Sequence, residues 1–217
     1  MSAPRIGVTM GDPEGIGPEV ICRAFEALEE RDGLVLYGLP ELFSDLSAPC
    51  RAHATPRDAI EAAARDLAEG RLDGVVTGPV SKSCFEGDFP GHTELFADRL
   101  GADRFAMALT GDRLTVSCVT THIPLSEVCG TLTCEQIVST GRLLDGFLRD
   151  ARGLERPRIA MAALNPHASD GGLFGDEEER LLAPAIATLQ GEGVDISGPG
   201  SADTVFHQAN PGIRRVL

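Results

Sequence analysis

Short apolar runs rich in β-branched residues alternate along this chain with longer segments of helical periodicity. Residues 5–9 (RIGVT), 34–37 and 74–77 (GVVT) are the first three runs. Apolar residues recur at helical spacing after Pro18 and again from Thr55 to Gly70. Because this alternation is typical of a sheet covered by helices, it predicts an α/β fold.

Two apolar runs in the middle of the chain, residues 105–110 and 114–120, are separated by only three residues. So short a connection predicts an antiparallel hairpin and therefore a mixed sheet. The Thr133-x-x-Gln136 pattern predicts the start of a helix, residues 158–163 a further strand and residues 176–190 an acidic helix. No linker or repeat is visible, so residues 1–217 are expected to form one continuous body or two lobes that share a sheet.

Composition excludes several classes of partner. The net charge of −14 opposes binding to a phosphate backbone, and one Tyr and no Trp leave few rings to stack on bases. No run approaches the roughly 18 apolar residues of a membrane span, and the first residues lack the apolar stretch of a signal peptide. We therefore expect no nucleic-acid or membrane partner and a cytoplasmic location. The six cysteines lack CxxC spacing, so we expect them to be reduced and mostly buried.

Polar residues cluster where the predicted strands end, which is where open α/β sheets bind ligands. The glycine-rich loop of residues 10–17 is neither a GxGxxG nor a P-loop motif, and packing alone also explains such a turn. Lys82, after the third strand, could hold a substrate anion or tune a proton transfer. His92 and Thr93 lie at the predicted start of a short helix, where both can meet a ligand. The alternative is that Thr93 caps this helix and His92 faces solvent from the loop.

Three further candidates lie later in the chain, and the two histidines among them follow predicted strands. His122 lies in TTHIPL and His167 in NPHASDGG, and neither has an HxxxH or HExxH partner. Local spacing therefore gives no metal signature, but a divalent-metal site assembled from separate loops would have this pattern, and a structural role stays open. Asp203, in GPGSADTVF, is either a carboxylate beside a metal, a proton relay or the first residue of an Asx turn.

Six motifs in order resemble those of the 4-hydroxythreonine-4-phosphate dehydrogenase family, the pyridoxal phosphate biosynthesis protein PdxA. They are MGDPEGIGPEV, TGPVSK, FPGHTE, TTHIPL, NPHASDGG with GDEEE, and GPGSADTVF. The resemblance implies an α/β/α mixed-sheet, two-lobed fold related to isocitrate and isopropylmalate dehydrogenases, and a homodimer. It implies oxidation of 4-phosphooxy-L-threonine by NAD or NADP with a divalent cation (Zn, Mg or Co), followed by decarboxylation, in pyridoxal 5'-phosphate biosynthesis.

The resemblance also implies roles for individual residues. His122 and His167 match two of the family's three histidine ligands for the cation, His92 and Thr93 match its substrate contacts, and Asp203 matches an active-site carboxylate. Asp203 and Lys82 are the two catalytic candidates. No residue is assigned to the nicotinamide cofactor.

The chain departs from the family's pattern in two places. Between Leu46 and Arg57 it is short for the family, and after residue 217 the family continues with a YHDQG-like motif. That segment normally carries the third histidine ligand and the phosphate contacts, so we expect a fold incomplete at its C-terminus and impaired activity. The alternatives are a dehydrogenase of threonate or erythronate 4-phosphate, and a non-catalytic metal-binding or dimerisation remnant.

Overall fold

The structure of the chain, a computed structural model, describes residues 3–85, 87–208 and 215–217. The chain forms two compact units, Met1–Asp103 and Arg104–Leu217. Within the described residues each unit has a sheet of its own. The predicted α/β class is therefore confirmed, whereas the expectation of lobes that share one sheet is wrong.

The first unit contains a four-stranded parallel sheet in the order β3-β2-β1-β4. Its strands are β1 (Ile6–Thr9), β2 (Leu34–Gly38), β3 (Cys50–Ala52) and β4 (Gly74–Thr77), and its helices are α1 (Gly17–Ala27), α2 (Pro56–Ala68) and α3 (His92–Arg99). Thr55 caps α2, since its side chain accepts a hydrogen bond from the N–H of Asp58. All the strands and helices predicted here are present, and β3 is an addition at the sheet edge.

The loops that follow β1 and β4 are in direct backbone contact. The N–H of Asp12 donates to the C=O of Pro79 at 2.8 Å, and the N–H of Gly78 donates to the C=O of Thr9 at 3.0 Å. A Cβ atom at Gly78 would lie 2.7 Å from the backbone N of Gly11, so only glycine permits this approach. The glycine-rich loop is therefore fixed beside the TGPVSK segment at the carboxyl edge of the first sheet.

The second unit contains a five-stranded sheet in the order β5-β6-β9-β7-β8, in which only the β5–β6 pair is antiparallel. Its strands are β5 (Met107–Thr110), β6 (Thr115–Cys118), β7 (Arg158–Ala162), β8 (Asp195–Gly200) and β9 (Arg215–Val216), and its helices are α4 (Val128–Thr131), α5 (Cys134–Asp150), α6 (Ala183–Gly191) and α7 (Val205–Gln208). The predicted hairpin and mixed sheet are confirmed, and Thr133 and Gln136 form the predicted capping box of α5.

Two further expectations need correction. The predicted acidic helix over residues 176–190 is not continuous, because a π-helical turn, Glu178–Leu182, precedes α6. All six cysteines are free, but none is fully buried, and Cys129 is exposed. No helix in the described part of the chain is both long and apolar enough to cross a membrane.

Candidate functional site

His92 lies at the start of α3 in a largely apolar environment. The N-cap residue of this helix is Gly91, so Thr93 does not cap it and the alternative of a solvent-facing loop histidine is wrong. The imidazole packs edge-to-face on Phe85, with ring centroids 5.3 Å apart. Its Nε2 atom is buried and has no hydrogen-bond partner among the residues that the structure describes. Burial lowers the pKa of His92 below 6.5, so at neutral pH the ring is uncharged and Nε2 can bond to a ligand.

The FPGHTE motif before α3 is anchored to α2. The ring of Phe89 lies beside two guanidinium groups, 5.8 Å from Arg57 and 5.4 Å from Arg99. Glu61 on α2 accepts hydrogen bonds from both arginines, and chiefly the bond from Arg99 lowers the pKa of Glu61. Arg57 also donates to the C=O of Phe85 at 3.0 Å. This network holds the segment that delivers His92 and Thr93.

Lys82 begins a short 3-10 helix, Lys82–Phe85, directly after the TGPVSK segment. Its side chain lies outside the described part of the structure. The catalytic role predicted for Lys82 therefore stays a prediction.

His122, His167 and Asp203 each follow a strand of the second sheet. His122 comes four residues after β6, His167 five residues after β7 and Asp203 three residues after β8. These three strands run parallel to one another through their pairing with β9 and β7, so their carboxyl ends lie at the same edge of the sheet. The strands β6 and β7 flank β9 and are therefore roughly 10 Å apart. All three side chains are exposed at this edge.

A cavity of about 250 Å³ lies within the second unit at this edge. Its lining residues are Cys118, Val119, Thr120, Val128, Leu132, Ile137, Met161, Ala162, Ala163, Leu164, Leu182 and Leu217. Most of these side chains are apolar, and Thr120 contributes a hydroxyl. Because the lining includes Thr120 and Leu164, the segments that lead to His122 and to His167 share one cavity.

The backbone around the two histidines is unusual. His122 has a φ of 56°, and Ala168, Ser169 and Asp170, which follow His167, have φ values of 52°, 60° and 42°. A left-handed backbone costs a residue with a side chain about 1–2 kcal/mol. Such conformations persist only where the surrounding structure imposes them, which is common at functional sites.

Glu178, in the GDEEE motif to which the sequence assigned no role, organises the loop after β7. This carboxylate is only 6% exposed and accepts hydrogen bonds from the N–H of Asn165 at 2.8 Å and from the hydroxyl of Ser169. Burial alone would raise the pKa of Glu178, but these hydrogen bonds outweigh it and the net pKa is lowered. A signal was present, since Glu178 precedes the buried Leu181 and Leu182 by three and four residues, on the same face of a helical pattern.

The ligand atoms at this edge are of types that bind divalent cations. Imidazole nitrogen and carboxylate oxygen bind Zn²⁺, Co²⁺ and Mg²⁺ to different degrees, and His122, His167 and Asp203 supply both. Within the described residues no group of three or more His, Cys, Asp or Glu side chains is placed to hold a metal ion. The described part of the chain thus offers suitable ligands without a complete set of three.

Comparison with known proteins places the chain among related sequences over nearly its whole length. The family model described as "Pyridoxal phosphate biosynthetic protein PdxA" matches residues 47–214. The 4-hydroxythreonine-4-phosphate dehydrogenase of Geobacter metallireducens is 38% identical, and the alignment covers 96% of this chain and 75% of the relative. The protein of the same name from Desulfosudis oleivorans is 37% identical, with coverage of 96% and 76%.

A solved structure is also similar. The 4-hydroxythreonine-4-phosphate dehydrogenase of Klebsiella pneumoniae matches with a TM-score of 0.81 and 32% sequence identity. That match covers 100% of this chain and 79% of the Klebsiella chain. The fold described above is therefore shared with this enzyme.

Proposed function

Because the chain belongs to the pyridoxal phosphate biosynthetic protein PdxA family, we propose that it is a 4-hydroxythreonine-4-phosphate dehydrogenase. The reaction is the oxidation of 4-phosphooxy-L-threonine by NAD or NADP, followed by decarboxylation to 3-amino-2-oxopropyl phosphate. The relatives named above favour this substrate over threonate or erythronate 4-phosphate, and favour an enzyme over a non-catalytic remnant.

The observation that carries the proposal is the common sheet edge of His122, His167 and Asp203. Three separate motifs, more than 80 residues apart in sequence from first to last, deliver exposed polar groups to the carboxyl ends of parallel strands. Open α/β sheets bind their ligands at this edge. Packing requirements alone do not explain three exposed side chains of this chemistry there.

Each candidate residue has a role that its surroundings support. His122 and His167 are the imidazole ligands that would hold a divalent cation, which when bound lowers the pKa of the substrate hydroxyl and polarises the ketone. Asp203 would accept the proton of the substrate hydroxyl, and a bound nicotinamide cofactor would supply the hydride acceptor. In the first unit, the uncharged His92 and the hydroxyl of Thr93 contact the substrate, and the buried Nε2 atom of His92 is suited to a hydrogen bond.

The resemblance supports three further parts of the proposal. The protein is proposed to form a homodimer, to share the two-lobed architecture of isocitrate and isopropylmalate dehydrogenases, and to act in the cytoplasm. Sedimentation of the purified protein measures its oligomeric state directly, and a monomer at micromolar concentration contradicts the proposed homodimer.

The test of the proposed reaction is NADH formation from 4-phosphooxy-L-threonine with added Co²⁺, Mg²⁺ or Zn²⁺. The variant Asp203→Asn removes the proton acceptor and is expected to lower kcat by roughly 10²–10⁴-fold. Asp195→Asn is the matched control, because Asp195 is exposed at the opposite, amino end of β8 and should leave turnover unchanged. Equal losses in both variants contradict the role proposed for Asp203. A protein without turnover under all three metals contradicts activity of this chain by itself and agrees with the impaired activity that the sequence predicts.

A further inference from the structure

We propose that Glu178 is a positioning residue, whose buried carboxylate grips the chain on both sides of His167 and thereby fixes that histidine at the carboxyl edge of the second sheet. This inference rests on the proposed function for the role of His167. Its structural content, that Glu178 holds the loop, is independent of any reaction.

The grip is symmetrical about the histidine. One oxygen of Glu178 accepts a hydrogen bond from the N–H of Asn165, two residues before His167, at 2.8 Å. The other accepts one from the hydroxyl of Ser169, two residues after it. Two residues that flank His167, Asn165 and Ser169, are thus bonded to the same Glu178 side chain, which lies in the π-helical turn before α6.

The backbone of His167 is hydrogen-bonded to residues on both sides of it in the same loop. Its N–H donates to the side-chain oxygen of Asn165 at 2.9 Å, and its C=O accepts from the N–H of Asp170 at 3.2 Å. The C=O of Ser169 accepts from the N–H of Phe174 at 3.1 Å, and the rings of His167 and Phe174 are 6.3 Å apart. Asn165, which Glu178 holds, therefore bonds to His167 directly.

The left-handed turn after His167 needs such an anchor. Ala168, Ser169 and Asp170 are three consecutive residues with side chains and positive φ. This conformation is unfavourable for each of them, so the turn relaxes when nothing imposes it. Ser169 is the one that points inward, since it is only 4% exposed, whereas Asp170 is exposed. The bond from Ser169 to Glu178 accordingly ties the middle of the turn to the core.

The test compares Glu178→Ala and Glu178→Gln with the wild-type chain. Alanine removes both acceptors and leaves the Asn165 N–H and the Ser169 hydroxyl buried without a partner. Glutamine keeps the shape, and its oxygen can still accept from Asn165 while its amide donates to Ser169. Glu179→Ala is the matched control, because Glu179 is the next residue of the same acidic run and is exposed.

Two measurements are made on each variant. The first is amide hydrogen exchange of residues 165–174, which we expect to be at least 10-fold faster in Glu178→Ala and near wild type in Glu178→Gln and Glu179→Ala. The second is the dissociation constant for Co²⁺ alone, by calorimetry. Residues that orient a metal-ligating histidine typically change metal affinity by about 10- to 100-fold, so we expect a weakening of that size in Glu178→Ala and its restoration in Glu178→Gln.

The outcomes separate this inference from the proposed function. Unchanged exchange in Glu178→Ala overturns it, and so does faster exchange with unchanged Co²⁺ affinity. Faster exchange throughout the second unit in Glu178→Ala, and not only in residues 165–174, also overturns it because that result indicates general destabilisation. A wild-type chain that binds no Co²⁺ contradicts the metal part of the proposed function, while the exchange data still decide whether Glu178 fixes the loop.

Discussion

Replacement of Phe85 by alanine tests whether packing sets the protonation state of His92. Phe85 is 1% exposed and belongs to a buried cluster with Ile60, Ala64 and Leu95. Its ring is also the aromatic partner of the His92 imidazole, at 5.3 Å between centroids. The substitution therefore removes both a core side chain and the apolar wall against which the histidine is buried.

The expected magnitude follows from these contacts. Truncation of a buried phenylalanine to alanine costs about 3–5 kcal/mol, against a total stability of about 5–15 kcal/mol for a typical domain. The cavity left behind admits water to the imidazole, so the pKa of His92 should rise toward its ordinary value of about 6.5. Phe85→Leu keeps most of the apolar volume, and we expect it to cost less than about 1.5 kcal/mol and to leave the pKa low.

Urea unfolding and NMR titration of the histidine ring protons measure the two effects. The sign of the pH dependence provides a further check. Because the folded-state pKa of His92 is below its unfolded value, wild-type stability falls as the pH decreases below about 6.5, and this slope should shrink in Phe85→Ala. Phe105→Ala is the control, because Phe105 is 45% exposed. A His92 pKa that is unchanged in Phe85→Ala, or one already near 6.5 in the wild type, would refute the reasoning.

Two more predictions concern stability and ionisation. Gly146→Ala should raise the free energy of unfolding by about 0.5–1 kcal/mol, because Gly146 lies in α5 and a Cβ atom there would meet no atom within 4 Å. Gly141→Ala, in the same helix, should lower the free energy of unfolding by about 1–3 kcal/mol, because its Cβ atom would lie 2.5 Å from the side chain of Leu189. Urea unfolding decides both, and equal effects would contradict the packing described for α5. The hydrogen bond from Arg5 lowers the pKa of Asp73 to about 2, so its stabilising effect is present above about pH 3.9 and is lost as the pH falls toward 2. Arg5→Gln should return this pKa toward about 3.9 in a carboxyl-carbon NMR titration, and an unchanged value would contradict the assignment.

The elements that the sequence predicted are those with a continuous apolar run or a capping signal. The strands β1, β2 and β7 are largely buried runs, β4 is a continuous run of β-branched residues, and α5 begins at the predicted capping box. The strands that were missed lack such a signal. β3 has three residues at a sheet edge and β9 has only two residues. β8 contains Gly198-Pro199-Gly200, which is tolerated because β8 is also an edge strand. Position in the sheet, which no local pattern reveals, decided these cases.

Local sequence patterns also could not predict that the strands form two separate sheets. The hairpin of β5 and β6 was predicted correctly, but its partner within the sheet is β9, almost 100 residues further along the chain. The helices α5 and α6 and the strands β7 and β8 contribute side chains to the same buried cluster as Leu217, the residue that follows β9. Single-sequence periodicity carries no information on such pairing, so the mixed character of the sheet was predictable and its membership was not.

For the candidate site, too, the sequence predicted part of the outcome and not the rest. The motifs placed His92 at a helix start and His122 and His167 after strands, and the structure agrees with these three placements. Asp203 follows β8, a strand that the sequence did not predict. The sequence did not indicate how differently these residues are embedded. His92 is held in an apolar environment that keeps it uncharged, whereas His122 and His167 are exposed on strained loops.

These two environments suit two kinds of ligand. In the first unit, the guanidinium groups nearest the His92 segment, Arg57 and Arg99, are bonded to the carboxylates of Glu61, Asp88 and Asp98. An anion bound there would meet neutral donors and the backbone N–H groups at the start of α3, which bind anions without adding charge, and Lys82 stays the predicted cationic contact. In the second unit, the exposed imidazole of His167 lies on a loop that the buried carboxylate of Glu178 holds, and a ligand on such a constrained backbone is suited to a cation. The net charge of −14 is therefore compatible with a phosphorylated substrate, since anion binding at the first of these places does not require an excess of basic residues.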